Sequence, residues 1–340
     1  MSATKFTMAA RCEAAGRPNN EDNFQLTDNL SDDHWGFVTG KEIDLGEKGA
    51  LMVVCDGMGG MNAGEVASGL AIQTIKDWFT AKRLTPQVLS SSKTIIHYIE
   101  QAIIAADQII KETGNRNSDQ TGMGSTIVLA WFVGKEVYIG WCGDSRAYRF
   151  NPVTRLERLS HDHSYVQELV DNGKLLQELA FDHPDNNIIT RSLGDANQTA
   201  RPEVKCFPLC NDDTILLCSD GLCGVLRDSE IESFLSNAPT IDQCRNALWT
   251  ESEKAGWTDN VTIALCRIIS GGGEAKESSA ALSPKATIIT FHKKRKMRGL
   301  WVAFILLLLL GIAIEIGYFV ANKSWWYPQE IIQSLKPAGY

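Results

Sequence analysis

Five stretches of the chain are apolar with little polar alternation, and four of them begin or end beside an aspartate. They are ALMVVCD ending at Asp56, STIVLAWFV from Ser125, EVYIGWCGD ending at Asp144, DTILLCSD ending at Asp220, and NVTIALCRI from Asn260. Runs of this length read as strands. Helical spacing is rarer. Ala67, Leu70, Ala71, Ile75 and Trp78 share one helical face, as do Ile95, Ile99, Ala102, Ile103, Ala106 and Ile110. A third helix is predicted over Ile241–Ala255, with Thr240 as N-cap and Gly256 as the stop. Strands dominate and often follow one another directly. That pattern predicts antiparallel sheet with helices outside it, not a regular βαβ succession.

The longest apolar run is different. Leu300 to Val320 reads LWVAFILLLLLGIAIEIGYFV, 21 residues with one charge, Glu315. At roughly 1.5 Å per residue it is long enough for the ~30 Å hydrocarbon core of a bilayer, so a transmembrane helix is expected over residues 299–321. Trp301 at one end and Tyr318, Trp325, Trp326 and Tyr327 at the other fit interfacial belts. Lys293, Lys294, Arg295, Lys296 and Arg298 precede the run and place its N-terminal side in the cytoplasm. Glu315 fits either a helix–helix contact or a hydrated position near the far interface. The expected organisation is a globular domain over 1–268, a flexible linker over 269–298 ending in the basic cluster, the span over 299–321, and a short extracytoplasmic tail over 322–340. No stretch of the N-terminus has the apolar core of a signal peptide. The expectation is a single-pass protein of a bacterial cell membrane with its main domain in the cytoplasm.

Charge sharpens this picture. The chain carries a formal charge of -8. From Ile269 onward there are nine Lys/Arg against four Asp/Glu, a balance of +5, which leaves -13 on residues 1–268. Such acidity argues against nucleic-acid binding by the main domain. The nine cysteines include no zinc-knuckle spacing, and no histidine pair completes a site. Cys55, Cys142, Cys218 and Cys266 lie within apolar runs and read as small buried hydrophobes in a reducing compartment.

The candidate chemistry lies where the strands meet aspartates: VVCDG at Asp56, LLCSDG at Asp220, WTDNVT at Asp259 and WCGDSR at Asp144. A single Asp-Gly is ordinary turn chemistry. Four acids at the ends of separate core strands would share the rim of one core, and they would repel one another unless a cation neutralised them. Hard oxygen donors without clustered His or Cys select Mg²⁺ or Mn²⁺ over zinc. Near the N-terminus, Arg17-Pro18-Asn19-Asn20-Glu21-Asp22 could set a bidentate phosphate clamp beside such a site.

These segments resemble the metal-dependent protein phosphatases, the phosphatase 2C-like family. Gly16–Asp22 is similar to its R-x-x-N-E-D opening, and VVCDGMGGMNAGEVAS from Val53 to its D-G-x-G-G motif. GMGSTIV, GDSRAYRF, LSHDHSYVQELVDNG, NIITRSLG, CSDGL and TDNVTI follow in the family's order. The resemblance covers about residues 5–268. It implies an α+β fold in which two packed antiparallel sheets lie between helical layers, a four-layer αββα sandwich. It implies a centre of two Mn²⁺ or Mg²⁺ ions. Asp56 would touch both, Asp220 and Asp259 would complete one, and the Gly57 carbonyl would serve the other. Glu21 and Asp22 would act directly or through water, and Asp144 would help a third, weaker ion. Arg17 would hold the phosphate. A flap would lie within Leu159–Leu193.

The implied activity is hydrolysis of phosphoserine and phosphothreonine in proteins, a Ser/Thr kinase among the partners. A metal-activated water would act without a phospho-enzyme. In agreement, no cysteine has an Arg six residues on, as a cysteine phosphatase requires, and Asp56 opens no D-x-D pair. The chain departs from some relatives at Met58, where they carry a histidine assigned as proton donor to the leaving group. A thioether cannot donate a proton, and His161 and His163 are nearby in the sequence pattern. Two other functions stay open on residues alone: a membrane-tethered adaptor that binds phosphoproteins with weak catalysis, and hydrolysis of a small phosphorylated metabolite. Asp56, Asp220, Asp259 and Arg17 together favour the enzyme, because an adaptor has no use for all four.

Overall fold

The computed structural model describes residues 3–32, 35–59 and 63–276. In chain order its strands are β1 (Lys5–Glu13), β2 (Asp22–Thr27), β3 (Ile43–Asp44), β4 (Ala50–Met58), β5 (Gly124–Ser125), β6 (Ile127–Val133), β7 (Glu136–Cys142), β8 (Arg146–Asn151), β9 (Arg155–Arg158), β10 (Glu203–Pro208), β11 (Thr214–Cys218) and β12 (Val261–Ser270). Its helices are α1 (Ala63–Trp78), α2 (Ser92–Arg116), α3 (Tyr165–Asp171), α4 (Gln177–Ala180), α5 (Asp220–Cys223), α6 (Asp228–Asn237) and α7 (Ile241–Ala255).

Two antiparallel sheets result. One has the order β3-β1-β12-β11-β8-β9, the other β10-β7-β6-β4-β2, with β5 paired to the end of β4. The expected sheets and flanking helices are present. Strand periodicity explains why the apolar runs are unbroken. On β4, Met52 and Val54 point between the sheets, where they meet Met8, Ile215, Leu217 and Cys266. Leu51, Val53 and Cys55 point the other way, against Ala67, Ala71 and Ile75 of α1 and Ile99 and Ile103 of α2. The first sheet does the same with α5–α7: Leu216, Cys218, Ile263 and Leu265 pack on Leu222, Ile231, Leu248 and Trp249. With both faces covered, alternation has no polar side to show. Each such side chain contributes about 1.5–3 kcal/mol by leaving water.

The helix ends follow their local chemistry. The Thr240 side chain accepts from the Gln243 amide at 3.2 Å, and Gly256 ends α7 at φ 94°. Ser91 and Thr94 form a reciprocal cap on α2.

The last strand runs to Ser270, with Ile268 fully buried, and Gly272 and Gly273 donate to Asn211 and Leu209 at 3.0 and 2.8 Å. The hydrogen-bonded chain therefore reaches Gly273, beyond the residue 268 read from sequence. Most of the linker, the span at 299–321 and the tail lie outside the described residues. Among the described residues, no helix is long and apolar enough to cross a membrane.

Candidate active site

One edge of the sandwich gathers the acidic residues. Antiparallel pairing sets Asp22 of β2 directly opposite Asp56 of β4. Asp220 opens α5 just after β11, Asp259 precedes β12, and Asp144 lies in the turn between β7 and β8. Arg17, Asp144, Asp220 and Asp259 border a cleft of about 630 Å³. Its far wall comes from the predicted flap, including Ser164, Gln167, Gln177, Phe181 and Asn187. Arg227 closes that wall: it donates twice to Asp182 at 2.8 Å and lies 4.3 Å from the Phe181 ring centroid.

The N-terminal loop is tied down by one side chain. Asn260 donates to the carbonyls of Ala14 and Asn19 at 2.9 and 2.8 Å, and its own oxygen accepts from the Glu21 amide at 2.8 Å. This brings Arg17 to Asp259, with Nη2 donating to Oδ2 at 2.7 Å and Nε to the Thr258 carbonyl at 3.0 Å. The Glu21 carboxylate lies over Gly64, where an added Cβ would come within 2.9 Å of Oε2. Gly57 is equally constrained, since a Cβ there would sit 2.1 Å from the Gly64 carbonyl oxygen. Asp22 faces inward. Its Oδ2 accepts from Ser219 Oγ at 2.6 Å and Thr262 Oγ1 at 2.7 Å, so one carboxylate links the two sheets.

The electrostatics are those of crowded acids. Burial raises the pKa of Asp56, and repulsion from Asp22, Asp220, Asp144 and Asp259 adds to it. Burial likewise raises Asp144, with Asp220 and Asp162 adding to the shift. Asp220 is raised by burial and then by Asp259. Asp22 is pushed up to about 7 by burial, against the lowering effect of its two hydroxyl donors. Asp144 Oδ1 and Asp220 Oδ1 are buried without any hydrogen-bond partner. Unpaired buried carboxylate oxygens are costly, and an oxygen-only donor set suits a hard divalent cation. Among the described residues, no three acidic, histidine or cysteine side chains yet converge on one point in ligand geometry. The fit is therefore one of donor chemistry, charge and unpaired oxygens.

These shifts fix a pH dependence. Acids with raised pKa hold protons in the folded chain that the unfolded chain has already lost, so their contribution to stability falls as pH rises. For Asp22 that loss runs from about 4, the ordinary value, to about 7. In EDTA, the melting temperature is expected to fall between pH 5 and pH 8, and millimolar Mn²⁺ at pH 8 is expected to restore it. Differential scanning fluorimetry checks this; a melting temperature that rises over the same interval would contradict it.

Sequence reasoning did not single out several residues that hold this arrangement. Asn260, Ser219 and Thr262 lie inside the motifs but carry no charge to mark them. Arg146 donates to both oxygens of Asp162 at 2.7–3.1 Å, and Arg158 adds a second cation at 3.2 Å. The two histidines near the flap are turned to other work. His161 Nε2 lies 2.8 Å from Asp171, and its carbonyl accepts from Trp141. His163 is buried, which lowers its pKa. Neither histidine borders the cleft.

The family profile described as Protein phosphatase 2C matches residues 26–255. A serine/threonine phosphatase, stp, of Listeria innocua is 35% identical over 222 residues, which is 64% of this chain and 84% of that protein. A crystal structure of the serine/threonine phosphatase Stp1 from Staphylococcus aureus superposes with a TM-score of 0.67 at 31% identity, covering 77% of this chain and 95% of that one. Another, of the catalytic domain of the phosphatase PstP in complex with 2 manganese ions, has a TM-score of 0.62 at 26% identity, covering 78% of this chain and 100% of that one.

Proposed function

The chain belongs to the protein phosphatase 2C family, and we propose that it removes phosphate from serine and threonine side chains of proteins with the aid of two Mn²⁺ or Mg²⁺ ions. The observation that carries this reading is the set of aspartates at the cleft edge, with two unpaired buried oxygens and Arg17 beside them. The 2 manganese ions in the PstP structure support it.

In this reading Asp56 would help to hold both ions, Asp220 and Asp259 one of them and the Gly57 carbonyl the other, with Glu21 and Asp22 close by. Bound divalent cations would supply a lowered water pKa and would offset the negative charge of the phosphoryl group. The chain's own residues do the rest. Asp259 holds Arg17 at the rim, so the guanidinium is oriented before substrate arrives. Arg17 then binds the phosphoryl oxygens in the ground state. Met58 offers no proton to the leaving oxygen, and His161 and His163 do not border the cleft.

Arg17→Ala is expected to raise KM for a phosphothreonine peptide about tenfold or more with a smaller change in kcat, the mark of lost ground-state binding. Unchanged kinetics would remove Arg17 from the site. The same peptide, set against a small phosphorylated metabolite, distinguishes a protein phosphatase from a metabolite hydrolase.

We also propose that residues 299–321 anchor the protein in a bacterial cell membrane with the catalytic domain in the cytoplasm. The apolar run, and the basic cluster on one side of it, support this. Membrane-associated phosphoproteins, a Ser/Thr kinase among them, are then the natural substrates. Protease applied to intact cells is expected to remove a tag after Tyr340 and to spare one at Met1. The reverse outcome would invert the orientation.

A further inference from the structure

Asp144 stands in a turn with little apparent support, since its own Oδ1 has no partner. The support comes from the preceding residue. Gly143 has φ 125°, and a Cβ there would lie 2.7 Å from the Cβ of Thr126, so only glycine fits. Both backbone polar groups of Gly143 go to one residue. The Gly143 amide donates to His163 Nδ1 at 3.1 Å, and the His163 amide donates to the Gly143 carbonyl at 3.0 Å.

An amide can only donate, so Nδ1 must be the acceptor and the ring proton sits on Nε2. Nε2 then donates to Glu203 Oε1 at 3.1 Å. Trp141 stacks on the ring, with centroids 6.2 Å apart and planes 22° from parallel. The imidazole is 3% exposed. It is therefore fixed in position, rotamer and tautomer by three elements: β7, β10 and the root of the flap. The next peptide group ties it to the flap itself, because the His163 carbonyl accepts from the Thr190 amide at 2.8 Å and Ser164 pairs with Ile189.

We propose that His163 is a positioning residue for Asp144: its two-point clasp on Gly143 keeps the Asp144 carboxylate aimed into the cleft. This inference rests on the reading of Asp144 as a cation ligand. The ring touches neither substrate nor reacting atoms. Its work is to hold the turn that carries Asp144 in register with the flap, so that flap and acid move as one unit.

Two substitutions separate the clasp from general packing. In His163→Asn, the side-chain oxygen falls where Nδ1 was and can still accept from Gly143. In His163→Gln, the amide reaches the Nε2 position and can still donate to Glu203, but it offers Gly143 nothing. Amide hydrogen exchange across Gly143 and Asp144 is measured first, on the full 340-residue chain without metal. Exchange is expected to be at least about tenfold faster in His163→Gln and near wild type in His163→Asn, since an amide without its partner exchanges more freely. Mn²⁺ binding is then measured by calorimetry, with Asp144→Asn as reference. His163→Gln is expected to weaken about 10–100-fold the same binding step that Asp144→Asn removes, as loss of an outer partner does, and His163→Asn to keep it. Wild-type exchange in His163→Gln, or equal acceleration in both variants, would overturn the clasp. If exchange follows the expected order while Asp144→Asn binds Mn²⁺ like wild type, the clasp stands and the cation role of Asp144 fails.

Discussion

Asp56→Asn is expected to cut turnover of a phosphothreonine peptide by about 10³-fold or more while leaving the melting temperature of the metal-free protein unchanged or higher. The two effects share one cause. Asp56 lies opposite Asp22 in the sheet register, and the negative charges of Asp22, Asp220, Asp144 and Asp259 all oppose its ionisation. Asparagine keeps the shape and removes the charge. Their repulsion with residue 56 is then gone, which favours the metal-free fold. The proposed shared ligand is lost, and with it several kcal/mol of charge stabilisation, each 1.4 kcal/mol being about tenfold in rate. Mn²⁺ is expected to raise the melting temperature of wild type and to do so far less in this variant. Asp144→Asn is expected to lose less activity at saturating Mn²⁺, because it would touch only the weaker third ion. Equal losses from the two variants would show the ligands to be ranked wrongly. A melting temperature well below wild type in Asp56→Asn would make its loss of activity a folding effect.

The second large effect is on stability. Asp162→Ala is expected to destabilise the protein by about 3–5 kcal/mol, because removing one member of a buried pair strands the other charge. Asp162 is 7% exposed and accepts from Arg146 and Arg158, while Arg146 also donates to the Tyr148 hydroxyl. At about 2–4 °C per kcal/mol for a domain of this size, the melting temperature should fall by roughly 10 °C. The exposed pair between Arg227 and Asp182 provides the contrast. Asp182→Ala should cost no more than about 1 kcal/mol, since water already solvates both partners. Thermal melts of the two variants in parallel test the distinction, and equal shifts would contradict it.

What the sequence disclosed follows from where each signal resides. Strands β4, β6, β7, β11 and β12 were legible because burial on both faces leaves an unbroken apolar run. Helix α7 was legible because Thr240 and Gly256 mark its ends locally. Strand β8, reading RAYRFN, was not. Its Arg146 and Arg149 look solvated in any short window. Their partners Asp162 and Glu157 come from later in the chain and neutralise them only in the fold. Strand β10, an edge strand reading EVKCFP, lacks an apolar run because one side of it is half open.

The aspartates of the site could be read because each adjoins an apolar strand or a recognisable motif. The groups that orient them could not. Asn260 reaches Glu21 across 239 positions, and Thr262 reaches Asp22 across 240. Neutral hydrogen-bonding side chains give no periodic or charge signal, so only the folded chain brings these two to attention; His163 stood out in the sequence, but its hold on Gly143 did not.

The most direct test of the whole account is the initial rate of phosphate release from a phosphothreonine peptide by the full chain as Mn²⁺ is titrated after complete chelation. The account predicts no measurable release in EDTA, saturable recovery with Mn²⁺ or Mg²⁺, and no recovery in Asp56→Asn. Undiminished release in EDTA, unaffected by added Mn²⁺ and retained in Asp56→Asn, would contradict it.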